Sequence, residues 1–326
     1  MNLDDFSEKA KMIDKVLGSA ISGNIPNLHD AMNYHLVTGG KRIRPLLAIM
    51  TCEALGGSEE QVLPFAAACE LLHNWFLIHD DLEDCDIVRR DKPAVWVKYG
   101  MPHAINIGDY MAHKVFELIL KSKEKGVKDE IIVKLFRETT EACLMTAEGQ
   151  AMDMNMRNNN HPTEEEYLET IKHKTARYLT MPIVGGAIIA VRTDLTEKLV
   201  EFGMHLGLAF QVSDDILDLT EGKGRGETGR DIKEGKRSLL VVHCLNNCSK
   251  EEREKLLHIL NKPVNETTHE DALYAKSLFE KYGSIKYAQE KAEQYSEKAK
   301  AIADSMPAKL RDVLYFFADY IVKRDK

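Results

Sequence analysis

Proline is scarce in this 326-residue chain. There are nine, with none between Pro102 and Pro162 or between Pro182 and Pro263. Such gaps leave room for long helices, because an interior proline removes a backbone donor and clashes with the preceding turn. Cysteine is sparse as well. Cys52, Cys69, Cys85, Cys143, Cys244 and Cys248 contain no CxxC pair, which excludes a zinc ribbon. Their spread suits reduced thiols in a cytoplasmic protein better than a disulfide framework. Basic charge is in deficit: 44 Lys and Arg against 52 Asp and Glu leave a formal net charge of −8. A bulk basic surface for nucleic acid is therefore not expected. No apolar run is long enough for a transmembrane segment; the longest, around Met181–Val191, is short and carries Gly185 and Gly186. The first twelve residues lack the apolar core of a signal peptide. The closing Lys323-Arg324-Asp325-Lys326 offers no lipidation box.

What is present reads as helix. Hydrophobic residues make up 44% and charged residues 29%, a globular balance that excludes a disordered or collagen-like chain. Small and apolar residues recur at three- and four-residue spacing, as in Leu135, Thr139, Ala142, Cys143 and Thr146, while strand-like alternation is rare. The expected fold class is all-α. The length suggests two domains as a prior, but there is no dividing linker and no repeat of 20–50 residues. One helical domain over residues 1–326 is therefore expected. Pro64 is expected to start a helix through Phe65, Cys69, Leu72 and Phe76. Thr163-Glu164-Glu165-Glu166 predicts a capping box, with Glu166 reaching back to Thr163. The glycine-rich, charged segment Glu221–Lys236 predicts a loop. The stretch from Glu270 to Lys323 predicts amphipathic helices.

Two carboxylate clusters stand out. His79-Asp80-Asp81-Leu82-Glu83-Asp84 closes an apolar helical run, and Asp80 and Asp84, four apart, share a helix face. Alone, such a cluster is equally an acidic, solvated helix end. A second follows another apolar run: Phe210-Gln211-Val212-Ser213-Asp214-Asp215-Ile216-Leu217-Asp218, where Asp214 and Asp218 again share a face. Two DDxxD clusters in matching contexts point to hard divalent cations. Mg²⁺ takes oxygen ligands and bridges carboxylates to substrate phosphates. Facing clusters would hold several ions around a diphosphate and neutralise it as a leaving group.

A diphosphate also needs cations. Gly39-Gly40-Lys41-Arg42-Ile43-Arg44-Pro45 combines two glycines with three positive charges, and Arg89-Arg90 follows the first carboxylate cluster. Arginine's planar fork suits phosphate. His173-Lys174-Thr175 and Lys233–Lys236 add further candidates. No GxxxxGK[ST] phosphate loop occurs. His73 lies seven residues before Asp80, two helical turns away on the same stripe.

In this order, GGKRIRP, ELLHNWFLIHDDLED with RR following, KTA, FQVSDDILD and GRDIKEGKRS resemble the all-trans isoprenyl diphosphate synthases, or polyprenyl synthetases. The likeness covers about Gly39 to Ser238. It implies long antiparallel helices around a central cavity, a homodimer, and about three Mg²⁺ per site. It also implies condensation of isopentenyl diphosphate with an allylic diphosphate through an allylic carbocation. Carried over, Asp80 and Asp84 correspond to ligands of two Mg²⁺, with Asp81 close by, and Asp214 to a ligand of a third, supported by Asp215 and Asp218. Lys41, Arg44, His73 and Arg90 match positions that hold isopentenyl diphosphate. Arg89, Lys174 and Lys236 match those that hold the allylic diphosphate. Thr175 and Gln211 match polar groups near the developing cation, and Lys174 is expected to share in catalysis with them.

The chain departs from the family pattern in three places. Asp91 replaces the usual glycine after the arginine pair. Trp96 stands where many members have histidine. A family lysine falls on Gly226, with Lys223 and Arg225 nearby. Product length is expected to depend on a cavity floor near the first cluster. Phe76 lies about 40° from Asp80 on a helical wheel and one turn deeper, while Trp75 lies about 140° away. Bulky residues at both positions resemble farnesyl (C15) synthases, with geranylgeranyl (C20) close behind. Three other classes fit the residues less well. A class I terpene cyclase leaves Lys41, Arg44 and Arg90 without a role. A His-Asp phosphohydrolase leaves Asp214–Asp218 unexplained. A non-catalytic subunit of a heteromeric synthase would not need two intact clusters.

Overall fold

The computed structural model describes residues 6–220 and 227–323. These residues are almost entirely helical, and the expected all-α class is met. Strand is confined, among the described residues, to one antiparallel hairpin of Val88–Arg89 with Lys92–Pro93. By contacts the chain forms two compact units. One comprises Met1–Glu141, Met181–Val200 and Ser305–Phe316; the other comprises Ala142–Thr180, Glu201–Asp304 and Phe317–Lys326.

The first unit is built on the 25-residue helix Glu59–Glu83, which packs against Ile43–Ala54 and Met101–Lys121. This helix begins five residues before Pro64, contrary to the sequence reading. Ser58 precedes it in extended conformation, and Glu59 and Glu60 lie in its first turn, where carboxylates favour the positive helix pole. Pro64 lies inside the helix, buried in the packing, and forfeits one backbone bond there. Close packing depends on small residues. Gly185 lies against the Phe65 ring and Gly186 against the Ala48 carbonyl, and a Cβ at Gly108 would overlap the His79 imidazole.

The second unit has its own apolar core, including Met156, Tyr167, Val212, Leu239, Leu256 and Phe279. The Thr163 capping box is present in both directions: the Glu166 N–H donates to Thr163 Oγ1 at 3.1 Å and the Thr163 N–H to Glu166 Oε2 at 2.8 Å. The predicted loop Glu221–Lys236 is corrected in part. Arg230–Lys233 forms a helical turn, with Arg230, Asp231 and Ile232 buried, entered through Gly229 at φ 73°. Residues 221–226, including Lys223, Arg225 and Gly226, lie outside the described residues. The expected C-terminal helices are His269–Lys281, Ser284–Ala303 and Ala308–Lys323. No helix among the described residues is long and apolar enough to cross a membrane. All six cysteines are free thiols.

Candidate functional site

The first carboxylate cluster occupies the C-terminal end of Glu59–Glu83, whose last turn holds no basic residue. A helix C-terminus is the negative pole, so carboxylates gathered there repel both the dipole and one another. Asp84 is the C-cap. The Asp86 N–H returns to the Asp81 carbonyl at 2.8 Å and the Cys85 N–H to that of Leu82 at 3.4 Å. This is a Schellman closure with Cys85 in the left-handed position at φ 56°. The reversal carries Asp86 and Arg89 back under the helix end. There Arg89 Nε donates to Asp81 Oδ1 at 2.6 Å, and its Nη2 lies 3.4 Å from Asp86 and 3.5 Å from Asp80. Asp81 and Asp84 are buried, while the Asp80 side chain keeps 20% of its surface exposed. Burial raises the Asp81 carboxyl to about 7, with Arg89 pulling the other way.

The hairpin explains the departure at position 91. Its two-residue loop is Arg90-Asp91, with φ of 52° and 59°. Two left-handed residues in succession define the turn that suits a two-residue hairpin, and aspartate tolerates this region better than most residues. Trp96 also gains an account: its indole N–H donates to the Asp86 carbonyl at 2.6 Å and pins the connection behind the hairpin.

The glycine motif supplies the cationic side of this unit. Gly39 and Gly40 adopt φ of 101° and 135°. A side chain at Gly40 would crowd the guanidiniums of Arg42 and Arg90. Arg90 Nη1 donates to the Gly39 carbonyl and to Thr38 Oγ1. Arg42 turns inward at φ 52°, donating to Asp14 at 2.8 Å and to buried Glu70 at 3.0 Å. Asn74 Nδ2 also donates to Glu70, at 3.2 Å. Arg42 is thus an anchor for the loop that presents exposed Lys41 and buried Arg44. Burial, and then Arg42, Arg89 and Arg44, draw Arg90 down from its ordinary value against the pull of Glu70. Desolvation, followed by Arg44, Arg90 and Arg89, holds His73 well below the ordinary imidazole range. Arg44, His73 and Arg90 are therefore electrostatic neighbours. Guanidiniums gathered around Arg90 and His73 in this way are suited to an anion.

At the supposed cavity floor, Trp75 and Phe76 are half-buried with ring centroids 4.8 Å apart. Trp75 Nε1 donates to His79 Nδ1 at 3.3 Å, and His79 Nε2 lies 3.4 Å from the Ile105 carbonyl. Trp75 and His79, four residues apart, thus share a helix face, and the imidazole meets the Met101–Lys121 helix.

In the second unit, Lys172–Ala176 forms a single turn of π-helix between Glu164–Ile171 and Arg177–Ile189. Such bulges interrupt regular helix and recur at functional sites. Glycines admit it on two sides: a Cβ at Gly149 would overlap the Lys174 backbone, and one at Gly207 would overlap Ala176. Lys174 Nζ bonds Asp153 at 2.8 Å. Thr175 Oγ1 donates to Gln211 Oε1 at 2.7 Å, and Gln211 Nε2 donates to Asp215 Oδ1 at 2.9 Å. The hydroxyl of buried Tyr167 donates to Asp215 Oδ2 at 2.8 Å. Asp218 Oδ2 accepts from the Asp231 N–H at 3.0 Å. Lys236 pairs with Glu234 at 2.5 Å and with Asp231 at 3.5 Å. Asp214 is half-buried toward the end of Thr196–Thr220.

The structure thus brings together Arg44, His73, Arg89, Arg90 and the first cluster within one unit. Within the other it links Thr175, Gln211 and Asp215, ties Asp218 to the Asp231 turn, and gives Lys174 and Lys236 carboxylate partners. The sequence reading missed Glu70, Asn74, Asp86, Asp153 and Tyr167, and it counted Arg42 as a phosphate cation where the structure makes it an anchor on Asp14 and Glu70. Glu70 carried a signal, since a lone carboxylate within an apolar run needs a buried partner. Tyr167 carried none, its partner being 48 residues away.

The oxygen-rich donor set fits Mg²⁺. Among the described residues no three His, Cys, Asp or Glu side chains are gathered to hold a metal unaided. Mg²⁺ does not require that, because it is commonly held by one or two carboxylates completed by phosphate oxygens and water. Comparison with known proteins agrees with this chemistry. Residues 25–277 match the polyprenyl synthetase family. A geranylgeranyl diphosphate synthase of Sulfolobus acidocaldarius is 36% identical over 332 residues, covering 98% of each chain. A short chain isoprenyl diphosphate synthase of Methanocaldococcus jannaschii is 41% identical over 250 residues, covering 76% of this chain and 75% of its own. The crystal structure of a geranylgeranyl pyrophosphate synthetase from Pyrococcus horikoshii matches with a TM-score of 0.89 at 34% identity, over 99% and 98% of the two chains. With an all-α fold, two aspartate clusters and the arginine-lined loop in the family's order, the chain belongs to the polyprenyl synthetase family of prenyltransferases.

Proposed function

We propose that this chain condenses isopentenyl diphosphate with an allylic diphosphate to give a short-chain all-trans prenyl diphosphate, C15 or C20. The carrying observation is the pairing of opposite, costly charge groups. Carboxylates crowd helix C-terminal ends, and Arg42, Arg89 and Arg44 disfavour the charge of Arg90 beside a glycine loop. Each group is explained by a ligand of the other sign.

In this reading Asp80, Asp84 and Asp214 hold Mg²⁺, with Asp81, Asp215 and Asp218 fixing their surroundings. When bound, the ions supply positive charge to the diphosphate that leaves. Arg89, Lys174 and Lys236 orient the allylic diphosphate. Lys41, Arg44, His73 and Arg90 hold isopentenyl diphosphate. The allylic carbon–oxygen bond breaks and inorganic diphosphate departs with the electron pair. The double bond of isopentenyl diphosphate attacks the allylic carbon, a carbon–carbon bond forms, and loss of a proton restores the alkene. Thr175 and Gln211 present oxygen dipoles to the transient cation. Both carboxylate clusters serve this chemistry, so residues 1–326 act as one catalytic domain. A cytoplasmic homodimer completes the proposal. Exposed Met101 and Ile105, four apart on one helix, support the dimer as an apolar face open to a second copy.

Asp80→Asn and Asp214→Asn test the reading. Each removes metal-holding charge, and turnover should fall about a hundredfold or more. Near-normal turnover in both variants would remove the metal assignment.

A further inference from the structure

We propose that Tyr167 is a positioning residue for the reaction: through Asp215 it fixes the direction in which Gln211 and Thr175 present their oxygens. The inference rests on the reading of Thr175 and Gln211 given above and extends it to groups that reading leaves unexplained.

The chain of bonds has a forced direction. An ionised carboxylate only accepts hydrogen bonds. Gln211, one helical turn before Asp215, must therefore offer its NH₂, as it does at 2.9 Å. With the NH₂ turned to Asp215, the amide's carbonyl oxygen faces Thr175, and the threonine hydroxyl donates to it at 2.7 Å. With its proton committed, Thr175 Oγ1 keeps only lone pairs for the reacting centre. A flipped Gln211 would set its carbonyl oxygen against the carboxylate and its NH₂ against Thr175. That would reverse the local dipole and favour anions over a cation.

The orientation is only as firm as Asp215. This carboxylate is 6% exposed and needs donors to remain buried. Gln211 occupies one oxygen and Tyr167 the other, at 2.8 Å. Tyr167 is 2% exposed and packed in the apolar core with Met156, Ile171 and Val212, so its hydroxyl cannot wander. It holds the carboxylate oxygen that Gln211 does not. Asp215 is assigned by the same geometry to orienting Gln211 rather than to holding metal directly.

Tyr167→Phe removes one oxygen and keeps the ring that fills the core. The single-turnover rate of carbon–carbon bond formation should fall about tenfold, the loss expected when one hydrogen bond to a charged group is removed. The KM for isopentenyl diphosphate should stay within about twofold of wild type. A double-mutant cycle supplies the discriminating readout. If Tyr167 acts through Thr175, adding Tyr167→Phe to Thr175→Val should cost almost nothing further, whereas a separate structural role would make the losses additive. A wild-type rate in Tyr167→Phe, or strict additivity, overturns the inference while leaving Thr175 and Gln211 in place. A wild-type rate in Thr175→Val overturns the underlying reading, and this inference falls with it. Melting temperatures of all the variants show whether a slow variant is folded.

Discussion

At the scale of single residues, His35 shows what the cationic cluster costs. It is buried with Arg90, Arg89 and Arg42 facing it and Asn74 as its polar neighbour. Burial, followed by those guanidiniums, lowers its imidazole from 6.5 to about 3. Above pH 6.5 the ring is neutral in both folded and unfolded chains and no stability is lost. As pH falls through 6.5, the unfolded chain takes up a proton that the folded chain refuses. Stability then drops by about 1.4 kcal/mol per pH unit toward pH 3. His35→Gln should remove one proton's worth of that slope in urea-unfolding free energies measured from pH 7 to 4. An unchanged slope would show that the ring does not stay neutral in the fold. The same scale explains why Glu70 lies within an apolar helix. It is the counter-charge of Arg42, and removing one member of such a buried pair costs about 3–5 kcal/mol.

At the scale of elements, the sequence carried helix identity well and helix ends unevenly. The Thr163 capping box was legible because both partners lie within four residues. The start at Ser58 was not, because Pro64 is the louder signal. The π-turn at Lys172–Ala176 left no periodic trace. It exists because Gly149 and Gly207 let two helices close on it. Asp91 could be flagged as a departure from sequence, but only the φ pair of the hairpin shows why aspartate is accepted. Product length belongs to this scale too. Phe76 lies one turn below Asp80, and Trp75 is tied to His79 on a neighbouring stripe of the same helix. Phe76→Ala, alone or with Trp75→Ala, should lengthen the main product by one or more isoprene units in chromatographic analysis. An unchanged product made at normal rates would place the floor elsewhere.

For the whole molecule, a net charge of −8 conceals a strongly cationic patch in the first unit, where Arg42, Arg89 and Arg44 disfavour the charge of Arg90, and Arg44, Arg90 and Arg89 that of His73. Bulk composition argued against a broad basic surface but could not reveal this patch, since the four arginines come from segments about 45 residues apart. The ordered motifs did reveal the family, because each keeps its chemistry within a few residues. What they could not convey were the long-range partners: Glu70 under Arg42, Asp153 on Lys174 and Tyr167 on Asp215.

The central claim, condensation rather than hydrolysis or cyclisation, is tested most directly with labelled isopentenyl diphosphate. The protein is supplied with Mg²⁺ and, separately, with dimethylallyl, geranyl or farnesyl diphosphate, and the products are separated by chain length. The account predicts labelled, chain-extended diphosphates ending at C15 or C20. Consumption of the allylic diphosphate without incorporation of label would contradict it, and the roles given to Lys41, Arg44, His73 and Arg90 would fall.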